Sequence, residues 1–93
     1  MSLNFEWNVE KANTNLKKHG ISFDEAKTVF YDNLALTLND TEHSIDENRL
    51  IEIGLSNRNR LLVVVYTERE DNVRIISSRI ATKMEMKFYE NNF

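Results

Sequence analysis

Arg49-Leu50-Ile51-Glu52-Ile53-Gly54-Leu55, Leu61-Leu62-Val63-Val64-Val65-Tyr66-Thr67 and Val73-Arg74-Ile75-Ile76-Ser77-Ser78-Arg79 are apolar, largely β-branched runs divided by two polar turns, Ser56-Asn57-Arg58-Asn59-Arg60 and Glu70-Asp71-Asn72. Such runs fit a pleated surface, and short turns pair consecutive strands with their neighbours as an antiparallel meander. The middle run is apolar at every position from Leu61 to Tyr66, so it belongs at the centre of the sheet with both faces covered.

Outward from this core, Leu34-Ala35-Leu36-Thr37-Leu38 alternates like a half-buried strand, and Asn39 to Asn48 is a polar connection holding His43. Phe5 and Trp7 read as a short first strand. Asn8 then caps a helix whose apolar positions Val9, Ala12 and Leu16 recur at helical spacing, and Gly20 stops it, because glycine takes the left-handed cap without steric cost. Ser22-Phe23-Asp24-Glu25 has the form of a capping box, with Phe23, Ala26, Val29 and Phe30 as the buried face of a helix ending near Tyr31-Asp32-Asn33. Thr82-Lys83-Met84-Glu85 repeats the box and opens a terminal helix, whose Met84 and Phe88 are most simply core. The expected fold is α+β in two layers: two N-terminal helices, an antiparallel four- to five-stranded meander sheet and a C-terminal helix. With no proline, no repeat and two isolated glycines, residues 1–93 read as one domain.

Without cysteine there is no disulfide, no thiolate nucleophile and no cysteine-held zinc. No stretch approaches the roughly 20 apolar residues of a membrane span, and the start lacks the basic and apolar segments of a secretory signal. The expectation is a cytoplasmic protein without membrane contact. Glycine-rich phosphate loops, HExxH, GxSxG and dinucleotide fingerprints are missing, which disfavours ATPases, zincins, α/β-hydrolases and Rossmann enzymes. No metal and no cofactor is expected.

The net charge of −3 hides an asymmetry. Residues 1–46 hold four lysines and eight acids, whereas all six arginines fall between Arg49 and Arg79. From Arg58 to Tyr89 seven basic residues stand against four acids, so the positive charge is concentrated there, and a guanidinium, permanently charged, matches phosphate geometry with a planar fork. Arg69 and Arg79 end successive strands. If the turn between them spans three residues they share a face; if it spans two they part. Taken singly, each arginine also reads as a strand-end surface charge.

Proton-transfer candidates are few. His19 could titrate near neutrality, but before Gly20 it also suits the helix C-terminus. His43 reads as solvated. Glu85 could serve as a base, though the capping box already employs it, and Tyr66 belongs to the core. Lys11, Lys17 and Lys18 form a basic stripe that fits a phosphate backbone or plain solvent. The last helix could also offer an apolar edge to a partner helix.

The ordered series Phe5-Glu6-Trp7, Lys11 to Asn15, Lys18-His19-Gly20-Ile21-Ser22-Phe23, Ala26 to Phe30 with Asp32, Ile53-Gly54, Tyr66-Thr67-Glu68-Arg69, Arg74 to Arg79 and the terminal Glu85 to Tyr89 spacing closely resembles the BrnT toxin family. That resemblance implies a ribonuclease toxin with a RelE-like fold that cuts RNA and inhibits translation. It implies a BrnA-like ribbon-helix-helix antitoxin as partner, with operator DNA reached only through that antitoxin. On this reading Arg69 and Arg79 stabilise charge on a phosphate attacked by the ribose 2′-hydroxyl. His19, Glu68 and Tyr89 are candidates for proton transfer, and Lys18, Arg74 and Lys83 for RNA binding. Asp32-Asn33 departs from the family's frequent Asp-Pro. A non-catalytic module that only binds an antitoxin and aids operon repression is the alternative.

Overall fold

A computed structural model describes residues 3–41 and 48–92; His43 lies outside the described residues. Strand β1 (Asn4–Glu6) precedes helices α1 (Val9–His19) and α2 (Phe23–Thr28), and α2 runs into a 3₁₀ turn, Val29–Tyr31. Strands β2 (Leu36–Asn39), β3 (Arg49–Leu55), β4 (Leu61–Arg69) and β5 (Asn72–Ile80) follow, and helix α3 (Lys83–Glu90) closes the chain.

The caps form where the sequence places them. The Asn8 side chain accepts from the Lys11 N–H, and Gly20 sits at φ 72°. Thr82 and Glu85 form a complete capping box. At α2 only half a box forms: Ser22 accepts from the Glu25 N–H, but the Glu25 carboxylate turns away to Ser56 and Arg60. A buried carboxylate gains more from a guanidinium than from one backbone donor. Arg60, together with Ser56, holds the Glu25 carboxyl below its usual range against the opposing push of burial.

The sheet order is β1-β5-β4-β3-β2, with β2 to β5 an antiparallel meander and β4 in the centre. It is not wholly antiparallel as expected, because β1 lies parallel to β5. No short turn joins β1 to β5, so side-chain packing sets its direction. Phe5 stacks edge-on to Phe30 at 5.3 Å, and Trp7 edge-on to Phe23 at 5.8 Å.

The layering expected for the fold needs correcting. The two helices follow β1, at the strand read from Phe5 and Trp7, and the molecule is not a two-layer sandwich. α1 and α2 cover the face of Leu62, Val64, Tyr66 and Ile75, while α3 packs on the other face against Ile53 and Val63. Met84 and Phe88 are 81% and 43% exposed, and Tyr89 is the residue α3 buries. The buried side of α3 lies one position on from the Met84 and Phe88 spacing, because an amphipathic tyrosine can face the core as readily as an apolar side chain.

Within α1, Val9 and Leu16 are exposed and Asn15 is buried. The Asn15 side chain donates to the Ser78 carbonyl at 2.8 Å and accepts from the Ser78 N–H at 3.1 Å. It thereby completes the stretch of β5 that β1 is too short to reach, and it also donates to the Ile21 carbonyl at 3.0 Å.

The register of β4 against β5 decides which side chains share a face. Arg69 pairs with Asn72, so the turn spans two residues, Glu70 and Asp71. By itself this separates Arg69 from Arg79. A bulge intervenes: Tyr66 pairs with Ile75 and Val65 with Ser77, leaving Ile76 as the extra residue. The extra residue reverses the parity of everything beyond it. Arg79, opposite Val63, therefore returns to the face of Arg69.

A candidate nucleic-acid interface on the arginine face

Strand pairing arranges the face shared with α3 in rows, because paired residues point to the same side of a sheet. One row is Leu36, Ile53, Val63 and Arg79; the next is Leu38, Ile51, Val65 and Ser77. Beyond them lie Arg49, Thr67, Arg74 and Glu6, and then Arg69, Asn72 and Asn4. α3 packs at the first row, with Leu36, Ile51 and Leu61 at its margin. The far end of the face carries Arg49, Arg69 and Arg74.

Arg79 and Arg74 each pair with a carboxylate. Arg79 makes a bidentate bridge to Glu85, at 2.8 and 2.9 Å. That bridge and the Thr82 N–H outweigh burial and hold the Glu85 carboxyl down to about 2. Arg74 bonds Glu6 at 2.8 Å, and Asn72 donates to the same carboxylate at 3.0 Å. These two bonds keep Glu6 below the usual carboxylate range, and the charge of Arg69 adds to the effect. Arg69 is exposed and, among the described residues, has no hydrogen bond or ion pair.

The face therefore gathers Arg69, Arg74 and Arg79, yet Arg69 and Arg79 do not form a pair. Arg79 lies opposite Val63, six residues from Arg69 along β4. At about 3.3 Å per residue this is roughly 20 Å, too far for both to grip one phosphate. They can meet different phosphates of one strand. The expected pincer is thus corrected by strand rise alone.

The remaining candidates scatter. Glu68 is on the opposite face from Arg69, in an open cleft of about 690 Å³ lined also by Phe30, Tyr66, Glu70 and Asp71. Lys18 and His19 line a groove of about 450 Å³ with Lys11, Thr14, Ile76 and Ser77. Ser77 belongs to the arginine face, so this groove borders it at the edge of β5. Lys83 is exposed in the first turn of α3.

Tyr89 is held in the packing of α3. It is buried, its hydroxyl donates to Asp32 at 2.5 Å, and burial together with that carboxylate pushes it up to about 12. Asp32 also accepts from the N–H groups of Leu34 and Leu55, which makes it a hub joining the 3₁₀ turn, β3 and α3. Burial pushes the Asp32 carboxyl up, but the Leu55 N–H, Tyr89 and Leu34 bonds leave it below its usual value. Tyr66 is core, its hydroxyl donating to the buried Glu52 at 3.2 Å.

Glu6, Arg49, Thr67 and Asn72 were missed as members of this face. Their signal is pairing, which no local pattern reveals: three of them join Arg74 or Arg69 only through strand neighbours. Among the described residues, no group of three or more histidine, aspartate or glutamate side chains converges as a metal site. No helix among them is long and apolar enough to cross a membrane.

The family profile described as the ribonuclease toxin, BrnT, of type II toxin–antitoxin systems matches residues 7–85. The 1.1 Å crystal structure of the Brucella abortus ribonuclease toxin BrnT superposes with a TM-score of 0.67 at 22% identity, over 88% of this chain and 100% of that one. No curated protein matches the chain in sequence. That structural likeness shows the fold, and the profile spans most of the chain, which therefore belongs to the BrnT family of ribonuclease toxins of type II toxin–antitoxin systems.

Proposed function

We propose that this protein is a metal-independent endoribonuclease that arrests translation by cutting RNA and is neutralised by a BrnA-like ribbon-helix-helix antitoxin. The observation that carries the reading is the Ile76 bulge, which turns Arg69, Arg74 and Arg79 to one side of the sheet. A ribose 2′-hydroxyl attacks the adjacent phosphorus, the bond to the 5′-oxygen breaks, and a 2′,3′-cyclic phosphate forms. Negative charge grows on the phosphoryl oxygens, and a pre-positioned guanidinium stabilises it. Arg69 suits this role because no carboxylate hydrogen-bonds or bridges it among the described residues. Arg74 and Arg79 bind flanking phosphates by exchanging Glu6 and Glu85 for them. Of the proton-transfer candidates, His19 is the one that borders this face, and Lys18 and Lys83 extend the positive margin.

The direct test is purified chain with RNA in EDTA, reading cleavage and the cyclic phosphate end. Arg69→Ala should lower the rate by about a hundredfold or more while the protein stays folded. RNA left intact by the wild-type chain, while it still binds a ribbon-helix-helix partner, would replace this reading with the non-catalytic one.

A further inference from the structure

The Arg49, Thr67 and Arg74 row occupies three adjacent strands, with Thr67 paired to both arginines. Strands lie about 4.8 Å apart, so the two arginine backbones stand roughly 10 Å from each other across Thr67. That span suits one phosphate between two guanidinia, whereas the separation of Arg69 from Arg79 does not. Between them, Thr67 is 3% exposed, and its hydroxyl is buried with no hydrogen-bond partner. A buried hydroxyl in a folded protein is nearly always bonded, so an orphan flanked by two cations calls for an oxygen acceptor. Among the described residues, the charges beside the row on this face are Arg69 in the next row, Glu6 on Arg74, and Asp40, whose N–H donates to the Arg49 carbonyl at 3.0 Å.

We propose that this row seats one backbone phosphate of the bound RNA strand, Arg49 and Arg74 closing from either side and the Thr67 hydroxyl donating from the floor. The proposal rests on the ribonuclease reading above and adds Arg49 and Thr67 to its binding machinery. A phosphate here lies one row from Arg69, so the row fixes the strand's register beside the guanidinium assigned to the scissile position. Thr67 acts as a positioning residue through the phosphate it holds.

The experiment measures the affinity of a 2′-O-methyl oligoribonucleotide, which cannot be cleaved, by fluorescence anisotropy across a salt series, alongside cleavage of the matching RNA. Arg49→Ala should weaken binding about tenfold and lower the salt slope by about one. Arg49→Lys, which keeps the charge but loses the fork, should recover the slope and only part of the affinity. Thr67→Val should weaken binding without lowering the melting temperature, and Thr67→Ser should restore it. Wild-type affinity and salt slope in both Arg49→Ala and Thr67→Val, with cleavage intact, would overturn this proposal alone. A wild-type chain that neither binds nor cleaves RNA would overturn the ribonuclease reading and this one with it.

Discussion

Asn15 offers the sharpest test of how the fold is held. Its side chain makes three bonds to backbone groups, two with Ser78 and one with Ile21, and it is 6% exposed. Asn15→Ala leaves two carbonyls and one N–H buried without partners, each worth about 1–3 kcal/mol. With some water entering the gap, a total near 3–5 kcal/mol is expected, a large part of the roughly 5–15 kcal/mol that holds such a domain. The melting temperature should fall by about 12–40 °C, at 4–8 °C per kcal/mol. Asn15→Asp should be worse at pH 7. It keeps the acceptor for the Ser78 N–H but aims a carboxylate at two carbonyls in a buried site. That geometry raises the folded-state pKa of the introduced acid above its unfolded value, so the folded state binds the proton more readily. Its deficit should therefore shrink as pH falls through the raised value, and the protonated acid should donate to a carbonyl. Circular-dichroism melts from pH 7 down to pH 5, with hydrogen exchange at the Ser78 amide, read both effects. A shift under about 4 °C for Asn15→Ala with unchanged Ser78 protection would refute the reasoning, as would an Asn15→Asp deficit that ignores pH.

Three further outcomes follow from single contacts. Glu85→Gln keeps an acceptor for the Thr82 N–H but loses the charge bridge to Arg79. Because the Glu85 carboxyl is held down to about 2, its contribution is present above about pH 4.5 and lost as pH falls toward 2. Discounted for the 42% exposure of the Arg79 side chain, the difference from wild type should be about 1–2 kcal/mol at pH 7; a urea-derived difference that stays constant with pH argues against the bridge. Glu70 sits at φ 56° in the turn between β4 and β5, a conformation that strains any side chain. Glu70→Gly should gain about 0.5–1 kcal/mol by chemical denaturation, and a loss would mean the turn is unstrained. Gly54→Ala should cost about 1–3 kcal/mol, because the added Cβ would meet Ala35 and Val29 at 2.9 Å and Asp32 at 3.1 Å. A neutral result would show that those neighbours can yield.

What the sequence disclosed about this molecule was its local physics. The strand runs, the caps at Asn8, Gly20 and Thr82, and the central place of Leu61 to Tyr66 all follow from period and propensity over a few residues. Long-range choices stayed hidden. The parallel docking of β1 depends on aromatic contacts between Phe5 and Phe30 and between Trp7 and Phe23, pairs far apart in the chain. The side on which α3 packs depends on the hub at Asp32, whose partners come from β3 and α3. Asn15 was invisible as a core residue because a polar side chain reads as solvent-facing until its backbone partners are known. The site was half legible for the same reason. Arg69, Arg74 and Arg79 stand out by type, but their common face depends on one bulge at Ile76, and Arg49 and Thr67 join them only through pairing.

The carboxylates on this face bear on how a net-negative protein could take up a polyanion. Glu6 and Glu85 both have pKa values held below the usual carboxylate range by their arginines, so they stay charged across the physiological interval and keep Arg74 and Arg79 neutralised in the resting protein. That pairing limits the repulsion among clustered guanidinia. On the ribonuclease reading, an arriving RNA strand would meet Arg69 first, as the guanidinium with no bonded carboxylate among the described residues, and would then displace Glu6 and Glu85 one phosphate at a time. Each exchange swaps one ion pair for another, so it adds less affinity than a contact to a bare arginine and mainly fixes position. Removing the competitor should therefore tighten binding: Glu6→Gln, which keeps an acceptor for Asn72, should raise affinity for a 2′-O-methyl oligoribonucleotide several-fold at low salt, with the gain shrinking as salt rises. Unchanged or weaker binding by Glu6→Gln would mean that the Arg74 guanidinium never leaves its carboxylate, and the strand would have to be routed along Arg69 and Arg49 instead.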